Sequence, residues 1–113
     1  MRILLQRVNK ASVIINNKKF SSINNGLLVF LGIQTKDSKK DVEYLVRKII
    51  NLRIFNDEEG KMNKSLLDVG GDILLISQFT LHGSTKKGNR PSFIKAAKPD
   101  LANIMNEKFI KIL

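Results

Sequence analysis

Asp72-Ile73-Leu74-Leu75-Ile76-Ser77-Gln78-Phe79-Thr80-Leu81 is the stretch on which the reading of the fold turns. Gly70-Gly71 breaks the chain just before it, and its aliphatic run reads as a buried strand. Strand alternation places Ser77, Phe79 and Leu81 on one face and Gln78, Thr80 and His82 on the other. The strand therefore ends in hydroxyls and an amide. Such groups suit hydrogen bonding to a substrate, and backbone N–H groups freed where strand pairing stops suit an oxyanion.

Working back from it, Asp37 to Leu52 reads as a helix, because Val42, Leu45, Val46 and Ile49 fall on one stripe. Ser38 and Asp41 give it a capping-box-like start. Leu27-Leu28-Val29-Phe30-Leu31, after the turn signal Asn25-Gly26, reads as a central strand covered on both faces. Ile3–Val8 and Ser12–Ile15 read as two short strands, and Asn16-Asn17-Lys18 as a turn, since Asn tolerates positive φ. Ile54-Phe55 leads into the polar turn Asn56–Gly60. Working forward, Pro99 to Leu113 reads as a last helix with Leu101, Ile104, Met105, Phe109 and Ile112 on its apolar face. The chain ends while still apolar, which reads as an interruption. The order of elements predicts an α+β fold with a mixed or antiparallel sheet and two helices, in a single domain over residues 1–113.

Composition narrows the chemistry. An apolar share of 42% indicates a folded chain. No cysteine and a single histidine argue against disulfides or a zinc centre, so no metal and no cofactor are expected. The first apolar run breaks too early for a signal peptide or a membrane span, so a cytoplasmic protein without a membrane partner is expected. The net charge of +10 fits a polyanionic partner. Fifteen of the twenty basic residues are Lys, however, a mixture that an AT-rich genome would also produce.

Three places compete for a function. Thr80 and His82, two residues apart, suggest a nucleophile and base, but no carboxylate completes the pair, and a lone surface His is usually only solvated. From His82 to Lys98 the chain carries Lys86, Lys87, Arg90, Lys95 and Lys98 and no acid. Gly83 and Gly88 let the backbone approach a ligand there, and Pro91 holds Arg90 extended. This is the best phosphate-binding stretch, against the alternative of a solvated mobile loop. Asp57, Glu58 and Glu59 read as a solvated turn rather than a metal site.

Six blocks then resemble one family. Gln6-Arg7-Val8 with Ala11-Ser12-Val13, Gly26–Val29 with Leu31-Gly32, Leu52-Arg53-Ile54-Phe55, Gly60-Lys61-Met62-Asn63, Ser77–Leu81 and Gly88-Asn89-Arg90-Pro91-Ser92-Phe93 follow the order and spacing of the D-aminoacyl-tRNA deacylases. The resemblance implies a homodimer of small β-barrel-like subunits that hydrolyse the ester between a D-amino acid, or glycine, and the 3′ end of tRNA. This activity proofreads mischarged tRNA. Its partner is aminoacyl-tRNA, with no DNA partner expected. The alternative is a catalytically silent RNA-binding remnant of the family.

Carried over position by position, Ser77, Gln78, Phe79 and Thr80 become the catalytic wall, with backbone amides and the substrate's own 2′-hydroxyl doing most of the work. Arg7 becomes a prop beneath the loop that selects chirality. Met62, Lys86, Lys87, Arg90, Pro91, Ser92 and Phe93 become substrate- and tRNA-binding residues. The family pattern ends in a Gly-cisPro segment that enters the partner subunit's pocket and excludes L-amino acids, and this sequence contains no Gly-Pro pair. The expected consequences are lost rejection of L-aminoacyl-tRNA, an incomplete sheet, a weakened dimer and an exposed sheet edge.

Overall fold

The computed structural model describes residues 1–112. Seven strands and three helices occur in the order β1 (Arg2–Val8), β2 (Ala11–Ile15), β3 (Lys18–Ile23), β4 (Gly26–Gly32), α1 (Lys39–Asn51), β5 (Phe55–Asn56), β6 (Met62–Lys64), α2 (Leu66–Val69), β7 (Asp72–Ser77) and α3 (Pro99–Ile112). A 3-10 turn, Phe79–His82, follows β7. The fold is mixed α+β. Its strands form three sheets, ordered β1-β4-β7, β2-β3 and β5-β6, rather than one barrel-like sheet, and α2 is a third helix beyond the two expected.

The chain divides into two compact units. The first comprises Leu5–Val29 and Arg47–Ile76. Its β2-β3 hairpin pairs Ala11 with Ile23 and Ile15 with Lys18 in antiparallel register. The two linking residues, Asn16 and Asn17, both take positive φ (51° and 62°), matching the twist of the flanking strands. β5 and β6 form a second short hairpin. The single turn of α2 is stable because both its ends are capped. The Ser65 hydroxyl accepts from Asp68 N–H while the Asp68 carboxylate accepts from Ser65 N–H, and Gly70 closes the C-terminus in the left-handed region. Leu27, Val29, Ile49, Phe55, Leu66 and Leu74 are buried. Gly26 lies hard against the backbone of Asp72: a Cβ there would sit 1.9 Å from the Asp72 carbonyl oxygen.

The second unit comprises Met1–Leu4, Phe30–Val46 and the chain from Ser77 onward. The Met1 amino group donates to Asp37 Oδ1 at 2.6 Å, and the other carboxylate oxygen accepts from Gln34 N–H at 2.6 Å. Asp41 Oδ2 accepts from the Ser38 N–H (2.8 Å) and hydroxyl (3.2 Å), so the expected capping box is present in its carboxylate half. Leu31, Ile33, Val42, Val46, Ala97, Met105 and Phe109 are buried.

The α3 stripe is narrower than the periodicity predicts. Met105 and Phe109 are buried and Leu101 half-buried, but Ile104 is 54% exposed. Ile104 sits one position before Met105, so the 100° step of the helix carries it off the buried face. The expected place of Ile112 on that face, and the apolar end at Leu113, lie outside the described residues.

Candidate functional site at the end of strand β7

The largest departure from the sequence reading falls on the catalytic stretch. The strand expected through Leu81 ends at Ser77, and Phe79–His82 winds into a 3-10 turn. The face assignment of Phe79, Thr80, Leu81 and His82 by strand alternation is therefore overturned. The cause is loss of pairing. Gln78 N–H donates to the Leu31 carbonyl at 2.7 Å, and the next bonds of the segment are local, Leu81 N–H to Gln78 O (3.4 Å) and Gly83 N–H to Thr80 O (3.0 Å). The turn begins to satisfy its donors only at Leu81. The N–H groups of Phe79 and Thr80 have no acceptor among the described residues.

Ser77, Phe79 and Thr80 are exposed and Gln78 is half-buried. The Gln78 side-chain amide donates to Thr80 Oγ1, leaving the threonine proton free. Among the described residues no side chain accepts it. His82 is engaged elsewhere, its Nδ1 3.2 Å from Gln34 Nε2, while its Nε2 is buried without a partner. At 4% exposure His82 is also not the solvated surface residue that its lone position suggests. The signal was absent locally, because the partner Gln34 is 48 residues away.

Phe79 packs edge-to-face on Phe93, ring centroids 5.2 Å apart at 75°. Gly83 permits this, since a Cβ there would lie 2.9 Å from the Phe93 ring. Both rings stay accessible, Phe79 at 56% and Phe93 at 37%. An exposed aromatic pair next to freed backbone donors can stack a base and hydrogen-bond a carbonyl. Ser92 and Ser84 exchange two backbone hydrogen bonds of 2.8 Å, closing a loop that carries Lys86, Lys87, Arg90 and Pro91, all exposed. Phe93 follows directly. The structure thus brings Gln78, Phe79, Thr80 and Phe93 into contact.

Arg7 and Met62 belong to the other unit. Arg7 Nη1 donates to the Ile54 carbonyl (2.8 Å) and lies 3.5 Å from Asn56 Oδ1. It borders a cavity of about 430 Å³ with Asn9, Asn25, Asn56, Phe55 and Val69, whose three amides sequence reasoning missed. Met62 is 57% exposed on β6. Asp57 organises the neighbouring turn. Its carboxylate accepts from Asn63 Nδ2 (2.8 Å), Glu59 N–H (2.9 Å) and Lys61 N–H (3.0 Å), and these bonds, that from Asn63 foremost, hold it below the ordinary carboxylate value. The acidic turn is thus built on the Asn63 side chain and two backbone N–H groups. Glu58, also held low, pairs with Lys64 at 2.9 Å.

Residues 4–113 match the family model described as D-Tyr-tRNA(Tyr) deacylase. The D-aminoacyl-tRNA deacylase of Bacteroides thetaiotaomicron is 58% identical over 113 residues, all of this chain and 75% of that protein. That of Thermodesulfovibrio yellowstonii is 58% identical over 110 residues, 97% of this chain and 75% of that protein. Among solved structures, c-Myc DNA Unwinding Element Binding Protein superposes with a TM-score of 0.93 at 42% identity, covering 98% of this chain and 74% of that one. A probable eukaryotic D-amino acid tRNA deacylase shares the fold at a TM-score of 0.79 and 21% identity, covering 97% of this chain and 64% of that one. Fold and relatives together define a hydrolase. The chain belongs to the D-Tyr-tRNA(Tyr) deacylase family, and it spans about three quarters of the length of the curated relatives named above.

Proposed function

We propose that the chain hydrolyses the ester between a D-amino acid, or glycine, and the 3′-terminal ribose of tRNA, and so proofreads mischarged tRNA. The observation that carries this reading is the pair of unpartnered N–H groups at Phe79 and Thr80, set where β7 stops pairing, in a chain of this family. As water adds to the ester carbonyl carbon, negative charge moves onto the carbonyl oxygen, and two fixed N–H donors stabilise that charge. The bond to the ribose 3′-oxygen then breaks. A proton lost by the water reaches that oxygen through the vicinal 2′-hydroxyl, giving free amino acid and an uncharged 3′ end. No side chain of the corner acts as a base, consistent with Thr80 having none beside it.

In this reading Gln78 fixes the Thr80 hydroxyl, Ser77 ends the wall, and Phe79 with Phe93 receives the terminal base. Lys86, Lys87 and Arg90 meet phosphates, Pro91 and Ser92 shape their loop, and Arg7 and Met62 serve substrate binding. The chain acts as one domain in the cytoplasm, where charged tRNA is found. For the homodimer, the apolar groove of about 360 Å³ lined by Val13, Ile15, Phe20 and Ile73–Ile76 is the surface we assign.

The test is release of D-Tyr from D-Tyr-tRNA by the 113-residue chain. Release above spontaneous hydrolysis is expected; none, with tRNA still bound, would leave only the RNA-binding remnant. The name of the 42%-identical structure raises DNA as a rival partner. A single-stranded DNA of the acceptor-end sequence, added as competitor, should fail to slow release.

A further inference from the structure

A second feature beyond the β7 corner is a cavity of about 270 Å³ lined by His82, Ser84, Ser92 and the cations Lys86, Lys87, Arg90 and Lys95, with Ile94. It lies just below the range of pockets that enclose drug-sized ligands, and so suits one small group. None of the ion pairs among the described residues involves any of the four cations. The loop that carries three of them is held at its neck by the reciprocal Ser84–Ser92 hydrogen bonds. Like charges are thus gathered around a cavity with nothing of opposite sign.

One lining residue, His82, supplies a second, independent observation. His82 is buried, 4% exposed, and its Nε2 has no hydrogen-bond partner. Gln34 Nε2 lies 3.2 Å from His82 Nδ1; an amide nitrogen is a donor only, so we assign Nδ1 as the acceptor, which puts the ring proton on Nε2. A buried donor without an acceptor is costly, and native structures rarely keep one unless something else completes it. A tetrahedral oxyanion offers enough acceptor oxygens for this N–H and several cations at once.

We propose that this cavity is a phosphate-binding site in which neutral His82 donates from Nε2 while Lys86, Lys87, Arg90 and Lys95 supply the charge, and that it holds a backbone phosphate of an RNA end. Only the RNA source rests on the deacylase reading; binding of the anion does not.

His82 is the sole histidine of the chain, so its ring resonances report on the site without assignment of the rest of the spectrum. Titration with inorganic phosphate should move them saturably, and the nitrogen shifts should show the Nε2–H tautomer. Absence of any shift would overturn the site, whatever the turnover of the enzyme. A short single-stranded RNA ending in CCA should bind more tightly than AMP; equal affinity would overturn the RNA assignment.

Two variants separate hydrogen bond from charge. His82→Phe should weaken RNA binding about tenfold with the salt dependence unchanged. Arg90→Ala should reduce the slope of log affinity against log salt by about 0.7. His82→Gln, whose amide keeps a donor near the Nε2 position, should recover most of the affinity lost in His82→Phe. Wild-type binding by folded His82→Phe would refute the role of the imidazole.

Discussion

Replacing Thr80 by Val deletes one hydroxyl and keeps the shape of the side chain. The hydroxyl accepts one hydrogen bond, from the Gln78 amide, on an exposed residue. A neutral bond of this kind contributes about 0.5–1.5 kcal/mol, equivalent to roughly two- to twelvefold in rate. Removing a true nucleophile costs on the order of 10⁴- to 10⁶-fold. The two readings therefore differ by about three orders of magnitude or more, well outside any uncertainty in the bond energy. The complementary change is Phe79→Pro. Phe79 occupies the first position of the 3-10 turn, where proline is tolerated, and Gln78 before it is extended (φ −143°, ψ 92°), as a residue preceding proline must be. This substitution deletes an N–H donor, and against a Phe79→Ala control it should lower turnover about 10²- to 10³-fold. The assay is single-turnover release of D-Tyr from D-Tyr-tRNA, with circular dichroism to confirm folding. A loss beyond about 10³-fold in Thr80→Val, or equal rates for Phe79→Pro and Phe79→Ala, would refute the mechanism by backbone donors.

Three further outcomes are expected. Gly26→Ala places a methyl group 1.9 Å from Asp72 O and 2.7 Å from Asp72 N, so the backbones must part; a loss of about 3 kcal/mol or more is expected in urea unfolding. Phe93→Ala should change stability by about 1 kcal/mol or less, because the ring is partly exposed, yet weaken binding of a CCA-ending RNA by about 1–3 kcal/mol of stacking; equal small effects on both would remove Phe93 from the base platform. For Asp57 the folded pKa lies below its ordinary 3.8. Its contribution is therefore present above that value and lost as pH falls through the folded pKa. Amide protection at Glu59 and Lys61 should collapse in that acid window in the wild type, and should be weak already at neutral pH in Asp57→Ala.

What the sequence reveals depends on whether the deciding interaction is local. β4 was legible because Leu27, Val29 and Leu31 alternate in an unbroken apolar run, and all three are fully buried. The β2-β3 turn was legible because Asn is among the few residues that accept positive φ at both turn positions. α2 was missed because one helical turn has no periodicity, although Ser65, Asp68 and Gly70 mark both its ends. The 3-10 turn was illegible for a different reason. Gln78–Leu81 alternates polar and apolar like a strand, and only the absence of further sheet bonds beyond Gln78 bends it. His82 shows the same limit, since burial of an imidazole depends on Gln34, far away in sequence. The basic loop was visible as charge, but its closure by Ser84 and Ser92 was not.

That closure has a consequence for proteolysis. Lys86 and Lys87 stand exposed on a loop tied off by two hydrogen bonds, the kind of tip where proteases nick folded proteins first. Trypsin should cut after these lysines and spare the Arg90-Pro91 bond, since it cuts poorly before proline. The loop thus carries its own footprint: an anion seated against the lysines should slow the nick, and the rate of cutting alone would then read occupancy in unlabelled protein.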